Sequence, residues 1–306
     1  SARAAGPALT SMSRVKANLL LTLVALIWGS AFVFQSQGMA HVGPMAFTGV
    51  RFLIGALVVA PLMWWEWRGL RRQDKALTRT DAYKILGLGL LLLLGAAMQQ
   101  IGIVSTSVTN AGFLTALYVP LVPVLGWLLL RHRPHWSAWP AALVCLIGAY
   151  LLSGAHSVAI SRGDLWIIAS TLPWAVHVLL IGRVADRMAA PFLVAGGQFA
   201  VCGLAALLWG LAIEPVSWTG LQAAALPIAY TGILSVGVAF TAQVVAQRYA
   251  HATDAAILLS SETIFAAAFG YALMGDRLNA AGLVGCALIF LSMLGVQLLP
   301  LLRSRT

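Results

Sequence analysis

The polar residues of this chain are gathered into short connections, many of them bearing Pro or Gly, and between the connections lie ten apolar stretches. A helix crossing ~30 Å of hydrocarbon needs roughly 20 mainly apolar residues. On that measure the pattern predicts membrane-crossing helices over 17–37, 44–65, 84–103, 108–130, 136–153, 164–182, 191–212, 222–247, 254–274 and 279–301. The fold class is therefore all-α and integral to a membrane. Composition agrees: 60% hydrophobic residues, 9% charged and a mean hydropathy of +0.90 do not describe a water-facing surface.

A net charge of +10 raises the question of nucleic acid, and the distribution of the charge removes it. When connections are assigned alternately to two sides, sixteen of the 19 basic residues fall with the termini, including Arg68, Arg71, Arg72, Lys75, Arg79, Arg183, Arg187 and Arg248. Arg162 and Arg277 fall opposite, and Arg51 lies inside a span. Positive charge is retained in the cytoplasm, so both termini are predicted cytoplasmic. "RGLRRQDKALTR" can also be read as an anionic-lipid site, although flanking charge belongs there in any case. Residues 1–16 form a tail opening with the small, polar "SARAAGPALTSM". "RVKANLLLTLVALIWGSAF" has the basic flank and apolar run of a signal peptide; with nine spans following, a retained first helix is predicted. Cys145, Cys202 and Cys286 each sit in an apolar span without CxxC spacing, as buried free thiols would.

The chain also matches itself at an offset of about 145 residues, the mark of an internal repeat. "ALIWGSAF" meets "STLPWAVH" with Trp28 over Trp174, and "GPMAFTGVRF" meets "APFLVAGGQF" with Pro44 over Pro191. "TNAGFLTALYVPLVPVLGWLLL" meets "TDAAILLSSETIFAAAFGYALM", and Gln99 falls over Gln243. The repeats span 17–153 and 164–301, with five helices each. Five is odd, so the second copy enters the membrane from the opposite side and the repeats are inverted. Such repeats are characteristic of secondary transporters, whose substrate sites lie near the midplane between the halves.

Glu262 gains a position from this arrangement, ~12 Å along its helix and near the bilayer centre, with Tyr118 as its counterpart. An ionised group there costs at least ~2.5 kcal/mol, so it should point inward. Three roles fit: a coupling proton site, part of a substrate site, or a hydrogen-bonding group tying helices together. Arg51 lies ~10 Å from the other face and needs a partner, Glu262 being one candidate and outward snorkelling the alternative. A pocket for an amphiphilic metabolite needs aromatic walls and a few orienting polar groups. Trp28 and Trp174 offer walls; Gln99, Asn110, Tyr118, Gln243, Gln247 and Ser260 offer uncharged polar groups, and His177 is either a contact or a neutral core residue. The other nine tryptophans suit interfacial anchoring. Pro120, Pro123, Pro173 and Pro227 free backbone carbonyls in their helices. Ala138, Ala142, Ala281 and Gly285 permit close helix packing, within one chain rather than in a dimer.

The uncharged polar set favours a zwitterionic or neutral small molecule over a polyanion or a strong cation. Neither paired aspartates nor an HExxH helix is present, which argues against a membrane enzyme. His132 and His135 lack a further nearby ligand, so neither a metal nor another cofactor is predicted. A channel remains an alternative architecture for repeats.

The chain resembles the EamA branch of the drug/metabolite transporter superfamily. The resemblance rests on "ALIWGSAFV", "FTGVRFLIGALV", "YVPLVPVLGWLLL", "GDLWIIASTLPWAVHVLL" and "SSETIFAAAFGYALMGDRLNAAGLVGCALIF", in that order over nearly the whole chain. Thr263-Ile264 stands where the family usually has Pro-Val, and no acidic residue closes the fourth helix. Trp28, Arg51, Trp174 and Glu262 occupy matching positions. The resemblance implies a ten-helix basket of two inverted repeats that exports small metabolites or drugs across the bacterial inner membrane, with exporters of amino acids, including aromatic ones, nearest in kind.

Overall fold

The computed structural model describes residues 12–131, 136–152, 161–275 and 279–303, and the described residues form helices and turns without a strand. In chain order the helices are α1 Arg14–Gly38, α2 Pro44–Arg72, α3 Arg79–Ile103, α4 Val108–Leu130, α5 Ala138–Leu152, α6 Arg162–Met188, α7 Pro191–Ile213, α8 Ala225–Ala246, α9 Ala252–Met274 and α10 Ala280–Arg303. A single short helix, Trp218–Ala223, precedes α8. Over their described residues, eight of these helices are long and apolar enough to cross a membrane.

Local chemistry sets the ends. Thr78 with Asp81 and Ser161 with Asp164 form reciprocal capping boxes at the starts of α3 and α6, satisfying amide groups that no preceding turn can reach. Pro44 and Pro191 open α2 and α7, where a missing N–H breaks no helical bond. The remaining free amides of those two first turns are met from across the bundle. Glu214, just past α7, accepts from the Met45 and Ala46 N–H groups at 2.8 Å each, and Glu66 of α2 accepts from the Leu193 N–H at 2.7 Å.

These reciprocal caps fix α2 and α7 side by side and antiparallel. Glycines bring the two backbones together along the way, Gly49 against Leu207 and Gly203 against Leu53. Tyr118 Oη of α4 donates to the Ala256 carbonyl of α9 at 3.3 Å, while Gly112 meets Ala266, so this pair is antiparallel too. The same sense holds for α5 and α10, where Ser292 Oγ donates to the Ala141 carbonyl at 2.6 Å and Gly148 lies on Gly285; the small residues there serve packing inside the chain. Exchanging the halves reproduces the other contacts: α3 packs on α6 as α8 does on α1, and α4 packs on α6 as α9 does on α1.

Phe47, Phe52 and Phe199 are fully buried in the core, whereas leucines such as Leu57, Leu128, Leu204 and Leu208 point outward. An apolar exterior of this kind suits lipid, not water. The nine tryptophans outside the predicted pocket are all exposed, as interfacial anchors are.

Candidate functional site

Two helices break halfway, at matching places of the two halves. Ala116 and Leu117 interrupt α4; Ser260 and Ser261 interrupt α9. Pro120 has no N–H for the Ala116 carbonyl, and the Val119 N–H takes it instead at 3.0 Å. In α9 the hydroxyls of Ser260, Ser261 and Thr263 donate to the carbonyls of Ile257, Leu258 and Ser260 at 2.6–2.8 Å, which stabilises the tighter turn. The residue after each break begins a new half-helix: Tyr118 in α4, Glu262 in α9. Glu262 thus sits at the positive end of its half-helix dipole. A third irregularity, a π-helical segment over Thr231–Phe240 of α8, presents the Ser235 carbonyl to Trp28 Nε1–H at 3.2 Å.

A cavity lies beside the irregular segments, and both halves contribute to it. Its walls come from Trp28, Phe32 and Gln35 of α1, Arg51 of α2, Gln99 of α3, Thr115 and Tyr118 of α4, Trp174 and Val178 of α6, Ser235, Phe240 and Gln243 of α8, and Glu262 of α9. Phe240 lies between the tryptophans, tilted on Trp28 with centroids 4.5 Å apart and stacked with Trp174 at 5.9 Å. Two glycines make this closeness feasible. A Cβ at Gly95 would stand 3.0 Å from the Trp174 ring, and one at Gly29 would stand 2.7 Å from the Glu262 carbonyl. The cavity volume is about 40 Å³.

The cavity holds polar groups that the protein leaves unanswered. Gln35 Oε1, Arg51 Nε, Trp174 Nε1 and Gln243 Oε1 are buried without a hydrogen-bond partner among the described residues. Arg51 is 3% exposed and Glu262 4%, and neither makes an ion pair or hydrogen bond with the described protein. The rings of Phe47 and Phe52 lie 5.7 and 5.1 Å from the Arg51 guanidinium carbon, a modest compensation for its lost hydration. Gln99 is different: its Nε2 donates to Thr115 Oγ1 at 2.9 Å.

Comparison with known proteins decides the family. The model of the EamA-like transporter family matches residues 15–154 and again 161–298, nearly the whole chain. The chain belongs to the EamA-like transporter family. An uncharacterized transporter of Archaeoglobus fulgidus is 30% identical over 94% of this chain and 87% of its own. The uncharacterized transporters YwfM and YoaV of Bacillus subtilis are 23% and 24% identical, over 92% and 90% of this chain and 94% of each relative. A crystal structure matched over 94% of this chain and all of its own, with a TM-score of 0.76 at 20% identity, shares the fold.

In this EamA-like transporter the sequence-derived candidates Trp28, Gln99, Tyr118, Trp174, Gln243 and Glu262 line one cavity. Asn110 and His177 do not. Asn110 Nδ2 donates to Asp164 Oδ1 at 3.3 Å, an oxygen that also accepts from Thr106, and so fastens α4 to α6 at one end of the bundle. His177 is fully buried, its Nε2 2.7 Å from Gln198 Oε1 and its ring edge-on to Trp174 at 6.2 Å, so it supports that wall from behind. Gln247 and Ser260 are taken up by backbone carbonyls, of Val178 at 2.8 Å and Ile257 at 2.6 Å. Arg51 and Glu262 share the cavity without pairing. His132 and His135 lie outside the described residues, among which no three ligand-type side chains gather to hold a metal. Phe32 and Gln35 escaped the sequence reading although they follow Trp28 at helical spacings of four and seven.

Proposed function

We propose that this EamA-like transporter is a secondary carrier that exports neutral amino acids, aromatic ones among them, from the cytoplasm by alternating access. Its ten helices cross a bacterial inner membrane as two inverted five-helix repeats, with both termini cytoplasmic. The antiparallel pairing of α2 with α7, α4 with α9 and α5 with α10 supports the inversion, because each helix there meets its own counterpart. The single chain works alone.

One observation carries the substrate reading: the cavity at the two matching helix breaks combines an aromatic cluster with uncharged amides. Aromatic walls take an apolar side chain, and amides orient a polar head. The repeats rock about this cavity to open one side at a time.

Counterflow tests this. Proteoliposomes loaded with an unlabelled amino acid and presented with the labelled one should show saturable exchange, stimulated by substrate on the far side. Flux without saturation or trans-stimulation would identify a channel. Exchange of organic cations with none of any amino acid would identify a drug exporter.

A further inference from the structure

Arg51 and Glu262 are unlike the other buried polar groups of the protein. Each ends in an ionisable group, each is buried to within a few per cent, and each comes from a different half of the chain, yet neither side chain makes a hydrogen bond or ion pair with the described protein. An ionised group buried without a partner is costly to hold there, so each favours a guest that answers it. When ionised their signs are opposite, both face the same cavity, and no other Asp, Glu, Lys, Arg or His among the described residues lines it.

The orphaned atoms around the cavity fall into donors and acceptors. Arg51 Nε and Trp174 Nε1 are unanswered donors; Gln35 Oε1 and Gln243 Oε1 are unanswered acceptors, beside Glu262, which only accepts when ionised. A carboxylate needs donors, and a guanidinium offers two in a plane that matches its oxygens. An ammonium group needs acceptors.

We infer that Arg51 receives the carboxylate and Glu262 the ammonium group of one amino-acid substrate, with the Trp28, Phe240 and Trp174 rings taking its side chain. The inference rests on the carrier reading above and narrows it. The substrate must have both groups free, and its side chain must be uncharged, since the cavity holds no charge to answer a third. Amines lacking the carboxylate, amides and N-acyl derivatives are rejected because each leaves one buried charge of the protein unmatched.

The test is counterflow of labelled L-phenylalanine and L-leucine into proteoliposomes. Competitors are the parent amino acids, their carboxamides, their N-acetyl derivatives, L-glutamate and L-lysine. Wild type should accept the parents and bind each derivative about 30-fold or more weakly, the usual consequence of removing one member of a buried charge pair. Arg51→Gln should weaken the parent by a similar factor and narrow the discrimination against the carboxamide alone. Glu262→Gln should do the same for the N-acetyl compound alone. The double variant should stay impaired.

Wild-type acceptance of both derivatives as well as the parent would overturn the assignment while leaving an amino-acid carrier standing. So would single variants that weaken every compound in the same proportion, or a double variant that recovers wild-type exchange, which would mean that the two charges serve each other. Absence of exchange of either amino acid by wild type would instead overturn the carrier reading itself. A variant that fails to elute as wild type does in gel filtration is replaced by Arg51→Lys or Glu262→Asp, and the wild-type competition series decides without any variant.

Discussion

Trp174 is where packing and binding are easiest to confuse. Its ring stacks on Phe240, sits against Gly95 and is braced by His177, so Trp174→Ala would open a core cavity costing about 3–5 kcal/mol and would mix instability with lost transport. Trp174→Phe keeps an aromatic wall and deletes the unanswered Nε1–H. It should leave the unfolding midpoint in detergent nearly unchanged and raise the KM for aromatic amino acids about 2- to 12-fold, the worth of one neutral hydrogen bond at about 0.5–1.5 kcal/mol. An unchanged KM would remove the indole N–H from the site. At this scale the sequence is informative where the repeat marks a residue twice, as with Trp28 over Trp174 and Gln99 over Gln243. It is silent on which way a side chain turns about its helix. His177, three places after Trp174, faces Gln198, while Val178, four places after, reaches the cavity. Asn110 was a candidate by composition and is an end fastener by geometry.

Among the elements, the reciprocal caps on α2 and α7 stand out because each carboxylate serves the first turn of a helix from the other half. Removing Glu66 or Glu214 leaves first-turn amides unmet beside the positive end of the helix dipole. Glu214→Ala and Glu66→Ala should each lower stability by about 0.5–2 kcal/mol, read by chemical denaturation in detergent. Glu214→Gln should recover part of the loss, since a side-chain carbonyl still accepts. No loss in either alanine variant would show that water satisfies these amides equally well. Hydropathy locates the spans but misjudges their ends: α2 runs to Arg72 and α6 to Met188, because a helix continues past the apolar window where basic residues reach beyond it. The breaks in α4 and α9 leave hydropathy unaltered. Their signals are chemical, Pro120 and Pro123 in one and Ser260, Ser261 and Thr263 in the other, and only the first was read from the sequence.

For the whole molecule, the proposed carrier mechanism raises the question of what selects between openings at the two ends. The duplication and its order are legible in the sequence, whereas the fasteners depend on side chains brought together from distant segments. At one end Arg14 of α1 pairs with Asp254 of α9; at the other Asp164 of α6 accepts from Thr106 and Asn110, just before and within α4. Asn110 and Asp254 occupy matching places, so one position of the repeat fastens both ends with different chemistry. Both fasteners are closed here. A carrier moving between two open forms needs them close in energy, and weakening one fastener should shift the population toward opening at that end. Partly exposed ion pairs are worth about 0.2–1 kcal/mol, so Arg14→Gln should shift the balance by no more than about 5-fold. Asp164 accepts as a charged group, worth about 1.5–3 kcal/mol per bond, so Asp164→Asn should shift it about 10- to 150-fold the other way. Thr115→Cys reports the balance from inside the cavity, with Cys286 changed to alanine because it is the native thiol not fully buried. An impermeant maleimide should label that cysteine faster from the Arg14 end in Arg14→Gln, and faster from the Asp164 end in Asp164→Asn. Faster labelling from one same end in both variants would mean that these contacts hold the fold together without gating it.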